Sequence, residues 1–157
     1  MVIKNKFNFK TKWYLITIED PAALPGNSIL KVINHIKLVI NFKYVILDRI
    51  DGAFISSLIE YENIPIKINT LSNLLPEVVQ FDWGDFFLFK KYPSNWNNFK
   101  NERYPFVISQ SDTTVRAIDD TYIYIYTPFN EIVKIIEDNY EIESIKNGLL
   151  QDLDYPE

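Results

Sequence analysis

The stretch TTVRAIDDTYIYIY, Thr113–Tyr126, decides the fold class. Two runs rich in β-branched and aromatic residues flank a pair of aspartates, a residue type that favours tight turns, so the pattern predicts an antiparallel hairpin. Side chains two apart in a strand share a face, and isoleucine is buried more readily than tyrosine. We therefore predict that the isoleucines face the core and the tyrosines face outward or into a half-covered groove. The alternating residues are Tyr122, Tyr124 and Tyr126 on one side and Ile123 and Ile125 on the other.

The neighbouring segments extend this hairpin into a larger antiparallel sheet. Before it, VVQFDW and DFFLFKKY are predicted strands joined at WGD, with Trp83 at the tip of the turn, and YPFVIS is predicted as a further strand. After it, TPFNEIVKIIEDNY predicts a helix with Thr127 as N-cap and Pro128 as its first residue. Residues 143–153 form either a short helix or a frayed tail.

The N-terminal half adds strands and helices of its own. KWYLITI predicts a strand, SILKVINHIKLVIN an amphipathic helix capped by Asn27 or Ser28, and KYVILDRI an interior strand. Residues 51–80 begin with a turn signal, continue as either a strand or a short helix, and include a helical turn broken at Pro76. No repeat or composition break divides the chain. We predict one α+β domain over residues 1–157, a largely antiparallel sheet of about five or more strands with helices packed on one face.

Composition and charge exclude several classes of protein. The chain of 157 residues has no cysteine, so disulfides and thiolate metal sites are excluded. It has neither a signal-type N-terminus nor a run of about 18 apolar residues, which predicts a cytoplasmic protein that does not enter membranes. From Asp119 onward, ten carboxylates stand against two lysines. This acidity argues against a nucleic-acid partner and favours a basic protein partner, although a solubilising surface is the alternative.

The sequence contains no motif for catalysis, cofactors or metals. His35 is the only histidine and lies near the edge of the apolar face of the first helix, which is typical of a structural role. The four glycines are too far apart to form a phosphate-binding loop. The acidic pairs are typical of turns rather than of metal sites. We predict no cofactor, no metal and no enzymatic activity. A hydrolase is the less favoured alternative, with Glu77, Asp82, Asp85 and Asp112 as its candidate carboxylates.

Two aromatic patches are candidates for binding a partner. Tyrosine supplies apolar area and a hydroxyl group with little entropy to lose, and it is common at interface hot spots. Charged residues are predicted to rim the tyrosine row, including Arg116 on the preceding strand. The alternative is that a strand, a loop or the C-terminal tail covers these rings. The predicted partner-binding residues are Asp119, Asp120, Tyr122, Tyr124 and Tyr126 in the first patch and Asp82, Trp83 and Asp85 in the second.

Three segments carry a resemblance to a known class of protein: VVQFDWGDFFLFK, TTVRAIDDTYIYIYTPFNEIV and the acidic tail EDNYEIESIKNGLLQDLDYPE. In size, charge and character the chain resembles the small, acidic, cysteine-free α+β immunity proteins that bacteria make beside secreted or contact-delivered toxins. The resemblance implies inhibition by binding, in which an acidic, aromatic surface occludes the active site of a toxin, for example a basic nuclease. An accessory or adaptor subunit, or a protein that self-associates as a homodimer, is the alternative.

Overall fold

The predicted hairpin lies at the centre of the sheet. In the computed structural model, which describes residues 11–19, 25–97, 102–119 and 121–156, β5 (Thr113–Ile118) pairs antiparallel with β6 (Tyr122–Thr127). Val115 lies opposite Ile125, and both are fully buried. The turn contains Asp119 in a left-handed backbone conformation, with φ of 54°. The hairpin prediction is confirmed.

The other strands add to both sides of this hairpin. Among the described residues the sheet has seven strands in the order β3-β2-β4-β5-β6-β1-β7, and neighbouring strands are antiparallel. The remaining strands are β1 (Trp13–Glu19), β2 (Tyr44–Ala53), β3 (Ile66–Lys67), β4 (Gln80–Phe89) and β7 (Ile142–Gly148). The helices are α1 (Pro25–Val39), α2 (Ser56–Ile59), α3 (Leu71–Leu74), α4 (Tyr104–Ser109) and α5 (Asn130–Asn139), and single 3₁₀ turns span Ile68–Thr70, Leu75–Glu77 and Leu150–Asp152.

The two long helices cover one face of the sheet. The apolar side chains of α1 and α5 pack against the residues of β1, β2, β4, β5 and β6 that point to this face, and together they form the larger hydrophobic core. Ile123 and Ile125 belong to this core, as the alternation in the hairpin predicted. The α+β class and the packing of helices on a largely antiparallel sheet are therefore confirmed.

A smaller core covers part of the opposite face, which sequence patterns did not predict. Val107 and Ile108 of α4 and Leu150 and Leu153 of the C-terminal segment pack against the sheet there. Tyr126 is buried in this second core, whereas Tyr122 and Tyr124 remain half-buried. This face carries the polar side chains from which the candidate site is built.

The predicted turn at WGD is wrong. Strand β4 runs without interruption from Gln80 to Phe89, so Trp83 and Asp85 are mid-strand residues. A Cβ on Gly84 would lie 3.1 Å from the ring of Phe81 and 3.3 Å from that of Phe86. The glycine at this position therefore makes room for two core rings, and no change of chain direction occurs there.

Three further predictions in the C-terminal half are corrected. YPFVIS forms helix α4, with Pro105 in its first turn, because two of its apolar residues then pack on the second face. Residues 142–148 form an edge strand on β1, followed by a 3₁₀ turn at 150–152. Helix α5 begins at Asn130, and the Thr127 hydroxyl accepts a hydrogen bond from the Phe129 N–H before the helix starts.

In the N-terminal half the elements follow the prediction more closely. Helix α1 begins at Pro25, earlier than the predicted cap at Asn27 or Ser28. Strand β2 continues through Asp51-Gly52 and is followed by the short helix α2. The helical turn broken at Pro76 is confirmed as α3 and a 3₁₀ turn. None of the helices in the described ranges has the length and apolarity needed to cross a membrane.

Replacing Gly26 by alanine is expected to lower the free energy of unfolding by about 1–3 kcal/mol. A Cβ at this position would lie 1.9 Å from the carbonyl oxygen of Leu75, a backbone atom that cannot rotate away. Urea unfolding of both proteins measures the difference. Gly148→Ala is the control, since its Cβ would meet nothing nearer than Leu153 Cδ2 at 4.0 Å. Equal loss in the two variants would contradict this account of Gly26.

Candidate functional site

A buried ion pair lies at the centre of the second face. Asp85 on β4 and Arg116 on β5 are direct cross-strand neighbours, so both side chains leave the sheet on the same side. Arg116 Nε donates a hydrogen bond to Asp85 Oδ1 at 3.1 Å, and the two side chains are 0% and 1% exposed. Because neither charge is hydrated, the pair depends on surrounding protein groups.

The guanidinium of Arg116 is enclosed by polar and aromatic groups. It donates to the carbonyl oxygen of Pro156 at 2.9 Å and lies 3.4 Å from the hydroxyl of Tyr126. Its carbon atom lies 4.2 Å from the ring centre of Tyr104 and 4.8 Å from that of Trp83, which are cation–π distances. These contacts replace the water that an arginine head group normally binds.

The C-terminal segment closes the site over the sheet. Tyr155 stacks between two other tyrosines, with ring centres 5.2 Å from Tyr126 and 6.2 Å from Tyr104. The Tyr126 hydroxyl donates to the carbonyl oxygen of Asp154 at 2.7 Å. The last residues of the described chain therefore cover the ion pair and make Tyr126 part of the interior.

Asp85 has an uncommon protonation behaviour for a carboxylate. Burial raises its pKa from the ordinary 3.8 to about 6, while Arg116 and the Trp83 indole oppose the rise and the neighbouring Asp48 carboxylate adds to it. Oδ1 is held by Arg116, but Oδ2 is buried and accepts no hydrogen bond from the described residues. The indole N–H of Trp83 interacts with the Asp85 carboxyl group and lowers its pKa, but it is buried and forms no hydrogen bond of normal distance and angle with the described residues.

Asp85 faces a half-open pocket of about 490 Å³. Its walls come from β2, β4, α4 and the two loops that precede β3 and α4. The lining residues are Asp48, Arg49, Glu62, Asn63, Asp85, Phe87, Glu102, Tyr104 and Val107. Four carboxylates and one guanidinium thus share a pocket of the size that ligand sites typically have.

A bulge in β2 shapes this pocket. Asp48 lies opposite Asp85 and Asp51 opposite Trp83, so an additional residue is accommodated between them in β2. Arg49, within the bulge, has a left-handed backbone with φ of 51°, which costs a non-glycine residue about 1–2 kcal/mol. Its guanidinium extends over the rings of Tyr104 and Trp83, 4.7 and 5.7 Å from their centres, and donates to the Tyr104 hydroxyl.

The pocket wall opposite the bulge is held by Asn63. This residue also has a left-handed backbone, with φ of 59°, and its Nδ2 donates to Asp48 Oδ1 at 3.0 Å. Its backbone N–H bonds to the carbonyl of Leu47 at 2.8 Å. The side-chain oxygen of Asn63 is buried and accepts no hydrogen bond from the described residues. Strained residues that are held in place this firmly are frequent at binding sites.

The tyrosine row is only partly an exposed face. Tyr122 and Tyr124 are half-buried with their rings 6.2 Å apart, while Tyr126 is fully buried beneath the C-terminal segment. The alternative that the tail covers the rings is thus confirmed for Tyr126. The prediction that Arg116 rims the row at the surface is wrong, because Asp85 and the aromatic rings draw its guanidinium into the interior.

The remaining predicted residues differ in their exposure. Asp82 and Asp119 are exposed and close in space, since the Asp119 N–H bonds to the Asp82 carbonyl at 3.1 Å. Trp83 is half-buried and Asp85 fully buried. Asp120 lies outside the described residues.

The predicted set of hydrolase carboxylates does not converge. Asp112 accepts a hydrogen bond from the Lys90 N–H at 2.8 Å, a backbone role, and Glu77 is exposed in a 3₁₀ turn. Of the four candidates only Asp85 lines the pocket. His35 hydrogen-bonds the Tyr140 hydroxyl through Nδ1 at 2.7 Å and is not a pocket residue.

Sequence reasoning missed most of the residues that line the pocket. Asp48 is one that could have been found, since a carboxylate directly after the interior run YVIL is an uncommon strand residue. Glu62, Asn63 and Glu102 lie in loops that carry no such signal. Comparisons of the chain with protein-family models, with curated proteins and with solved structures find no match.

Proposed function

We propose that this chain is an immunity-type inhibitor, a cytoplasmic protein that neutralises a basic toxin by binding to it. The observation that carries this proposal is the acidic pocket beside exposed apolar side chains on one connection of the fold. Ile59 and Ile64 are 45% and 51% exposed, and the pocket residues Glu62 and Asn63 lie between them in the sequence. Protein interfaces combine apolar contact residues with neighbouring charged and polar residues, as this connection does.

The electrostatics of the region support a basic partner. Asp48, Glu62, Asp85 and Glu102 line one pocket together with Arg49, and Arg116 pairs with Asp85, so four carboxylates stand against two guanidinium groups. Such a concentration of negative charge attracts a cationic surface, speeds the encounter and repels phosphate backbones. Occluding a toxin requires a preformed and complementary surface but no reaction in the inhibitor. Two of the pocket walls are interior strands of the sheet, β2 and β4, which supports a preformed surface.

The first test is an affinity capture from the native cells at low and high salt, with mass spectrometry of the retained proteins. We expect one basic protein, released as the salt concentration rises. Expressed alone in a sensitive host, this protein should arrest growth, and co-expression of the chain should restore growth. Asp48→Asn combined with Glu62→Gln should weaken capture at least about tenfold.

Two control variants determine which surface binds. Asp51→Asn combined with Asp152→Asn removes the same charge from exposed positions outside the pocket and should leave capture unchanged. Tyr122→Ala combined with Tyr124→Ala tests the tyrosine row. If this variant alone loses the partner, binding uses the row and not the pocket. Recovery of the chain alone, with a mass that rises with concentration, would reject the inhibitor in favour of a self-associating protein.

A small hydrolase is the second candidate, and the environment of Asp85 favours it. A carboxyl group with a pKa of about 6 opposite a second carboxylate, Asp48, is an arrangement that acid–base catalysts use. Turnover of an ester or glycoside by the purified protein, with a rate that depends on a group of pKa about 6 and is abolished by Asp48→Asn, would establish this candidate.

A further inference from the structure

We propose that the pocket is a receptor for a guanidinium group, supplied by an arginine side chain of the protein partner. This inference rests on the proposed function for the source of the arginine, whereas the acceptor groups of the pocket do not depend on that function. Asp85 and Asn63 line the pocket, and one acceptor oxygen of each, Asp85 Oδ2 and Asn63 Oδ1, is buried without a hydrogen bond of normal geometry from the described residues. A buried acceptor left in this state is costly, so a site that presents two of them is suited to a ligand with several donors.

The requirement for several donors favours an arginine side chain over a lysine side chain. A guanidinium carries five N–H donors in one plane and can bond to two or three acceptors at once, whereas an ammonium is a compact charge that keeps its water. The half-buried Asp48 and Glu62 add carboxylate acceptors at the same pocket. Paired acceptors with anionic charge are the recognition pattern for arginine.

The apolar lining fits the rest of such a ligand. Phe87 and Val107 form a hydrophobic part of the wall, beside the Tyr104 ring that Arg49 and Arg116 already contact. An arginine side chain has an aliphatic stem that packs on apolar groups and a flat head that stacks on rings. Arg116 shows this preference within the same molecule, since its guanidinium lies 4.2 Å from the Tyr104 ring centre.

Two other occupants are less well matched. No group of three histidines or carboxylates in the described ranges is arranged to hold a metal ion, and one wall of the pocket is apolar. Arg49 does not fill the pocket from within, because its guanidinium is bonded to the Tyr104 hydroxyl and lies over two rings. Arg49 therefore does not supply the donors that Asp85 Oδ2 and Asn63 Oδ1 lack.

The test is a titration of the full chain with capped arginine, N-acetyl-arginine methylamide, followed by the backbone amide NMR signals of Asp48, Asn63 and Asp85. We expect saturable shifts at these amides. Capped lysine should bind several-fold more weakly, and capped citrulline, which has the shape without the charge, should not saturate. Asp48→Asn and Glu62→Gln should each weaken binding about tenfold.

Asp51→Asn is the matched control, since it removes an exposed charge from the same strand and should leave the affinity for capped arginine unchanged. Absence of saturable shifts in the folded protein, or equal binding of citrulline, would overturn the guanidinium site. Free L-arginine binding far more tightly than the capped form would identify a small-molecule ligand and would overturn the assignment to a partner's side chain.

The outcome is independent of the capture experiment. If capped arginine binds at the pocket but no toxic partner is found, the site is retained and the immunity-type function fails. If a toxin is captured and the pocket variants neither weaken capture nor bind arginine differently, the function is retained and the guanidinium receptor fails.

Discussion

Replacing Arg116 by alanine is expected to lower the free energy of unfolding at pH 7 by about 3–5 kcal/mol. The substitution leaves the Asp85 carboxylate buried without its counterion and removes a donor to the carbonyl of Pro156. It also opens a cavity among the rings of Trp83 and Tyr104. Denaturant unfolding followed by tryptophan fluorescence measures the loss.

Arg49→Ala is the matched control for this experiment. Arg49 lies over the same two rings but is exposed, so its removal should cost no more than about 1 kcal/mol. The Arg116→Met, Asp85→Leu double variant should be more stable than Arg116→Ala, since no charge is then buried alone. Near-equal losses of unfolding free energy in Arg116→Ala and Arg49→Ala would show that the Asp85–Arg116 ion pair does not stabilise the second face of the sheet.

The second large effect is a pH dependence due to Asp85. Its pKa is about 6 in the native protein against an ordinary 3.8, so the native state holds the proton more tightly. Between pH 3.8 and about 6 the native state still holds a proton that the unfolded chain has largely lost. The free energy of unfolding therefore falls as the pH rises through this range. This difference in pKa corresponds to a change of about 3 kcal/mol in the free energy of unfolding, at about 1.4 kcal/mol per pKa unit.

The measurement is the difference in unfolding free energy between the wild type and Asp85→Asn at several pH values. We expect this difference to fall by up to about 3 kcal/mol from pH 4 to just above pH 6 and then to level off. Taking the difference removes the contribution of the other carboxylates. A difference that rises with pH would mean that the attraction of Arg116 outweighs the desolvation of the carboxylate and depresses its pKa. The cost of Arg116→Ala should likewise be smaller at pH 4, where Asp85 is protonated.

Much of the fold could be predicted because it follows from neighbouring residues. The alternation of Tyr122 to Tyr126 placed Ile123 and Ile125 in the core, and the helical spacing in residues 29–40 identified α1. These patterns are local, since the period of a strand or helix is visible within a few residues of one segment. The α+β class followed from them.

The wrong secondary-structure predictions concern a residue and a segment whose composition is compatible with two different structures. Gly84 between Trp83 and Asp85 has the composition of a turn, yet it provides space for Phe81 and Phe86 within a strand. YPFVIS has strand propensity, but its place over the second face makes it a helix. In both cases tertiary packing overrides the local preference.

The candidate site could not be predicted from the sequence, because its residues are far apart along the chain. Asp85 could be named as a candidate from the sequence, but its partners Asp48, Asn63 and Arg116 lie 22 to 37 residues away along the chain. No pattern within one segment shows that these groups meet, or that a C-terminal carbonyl at Pro156 covers them.

The sequence by itself determined the class of fold, the absence of disulfide and thiolate chemistry and the acidic character of the chain, because these depend on composition and short-range periodicity. Tertiary structure alone decided that Arg116 is buried and that Asp85 takes a pKa of about 6. It also decided that the acidic groups form a pocket. The physical reason is that desolvation and charge–charge interaction depend on distances in space, which the order of residues in the chain does not specify.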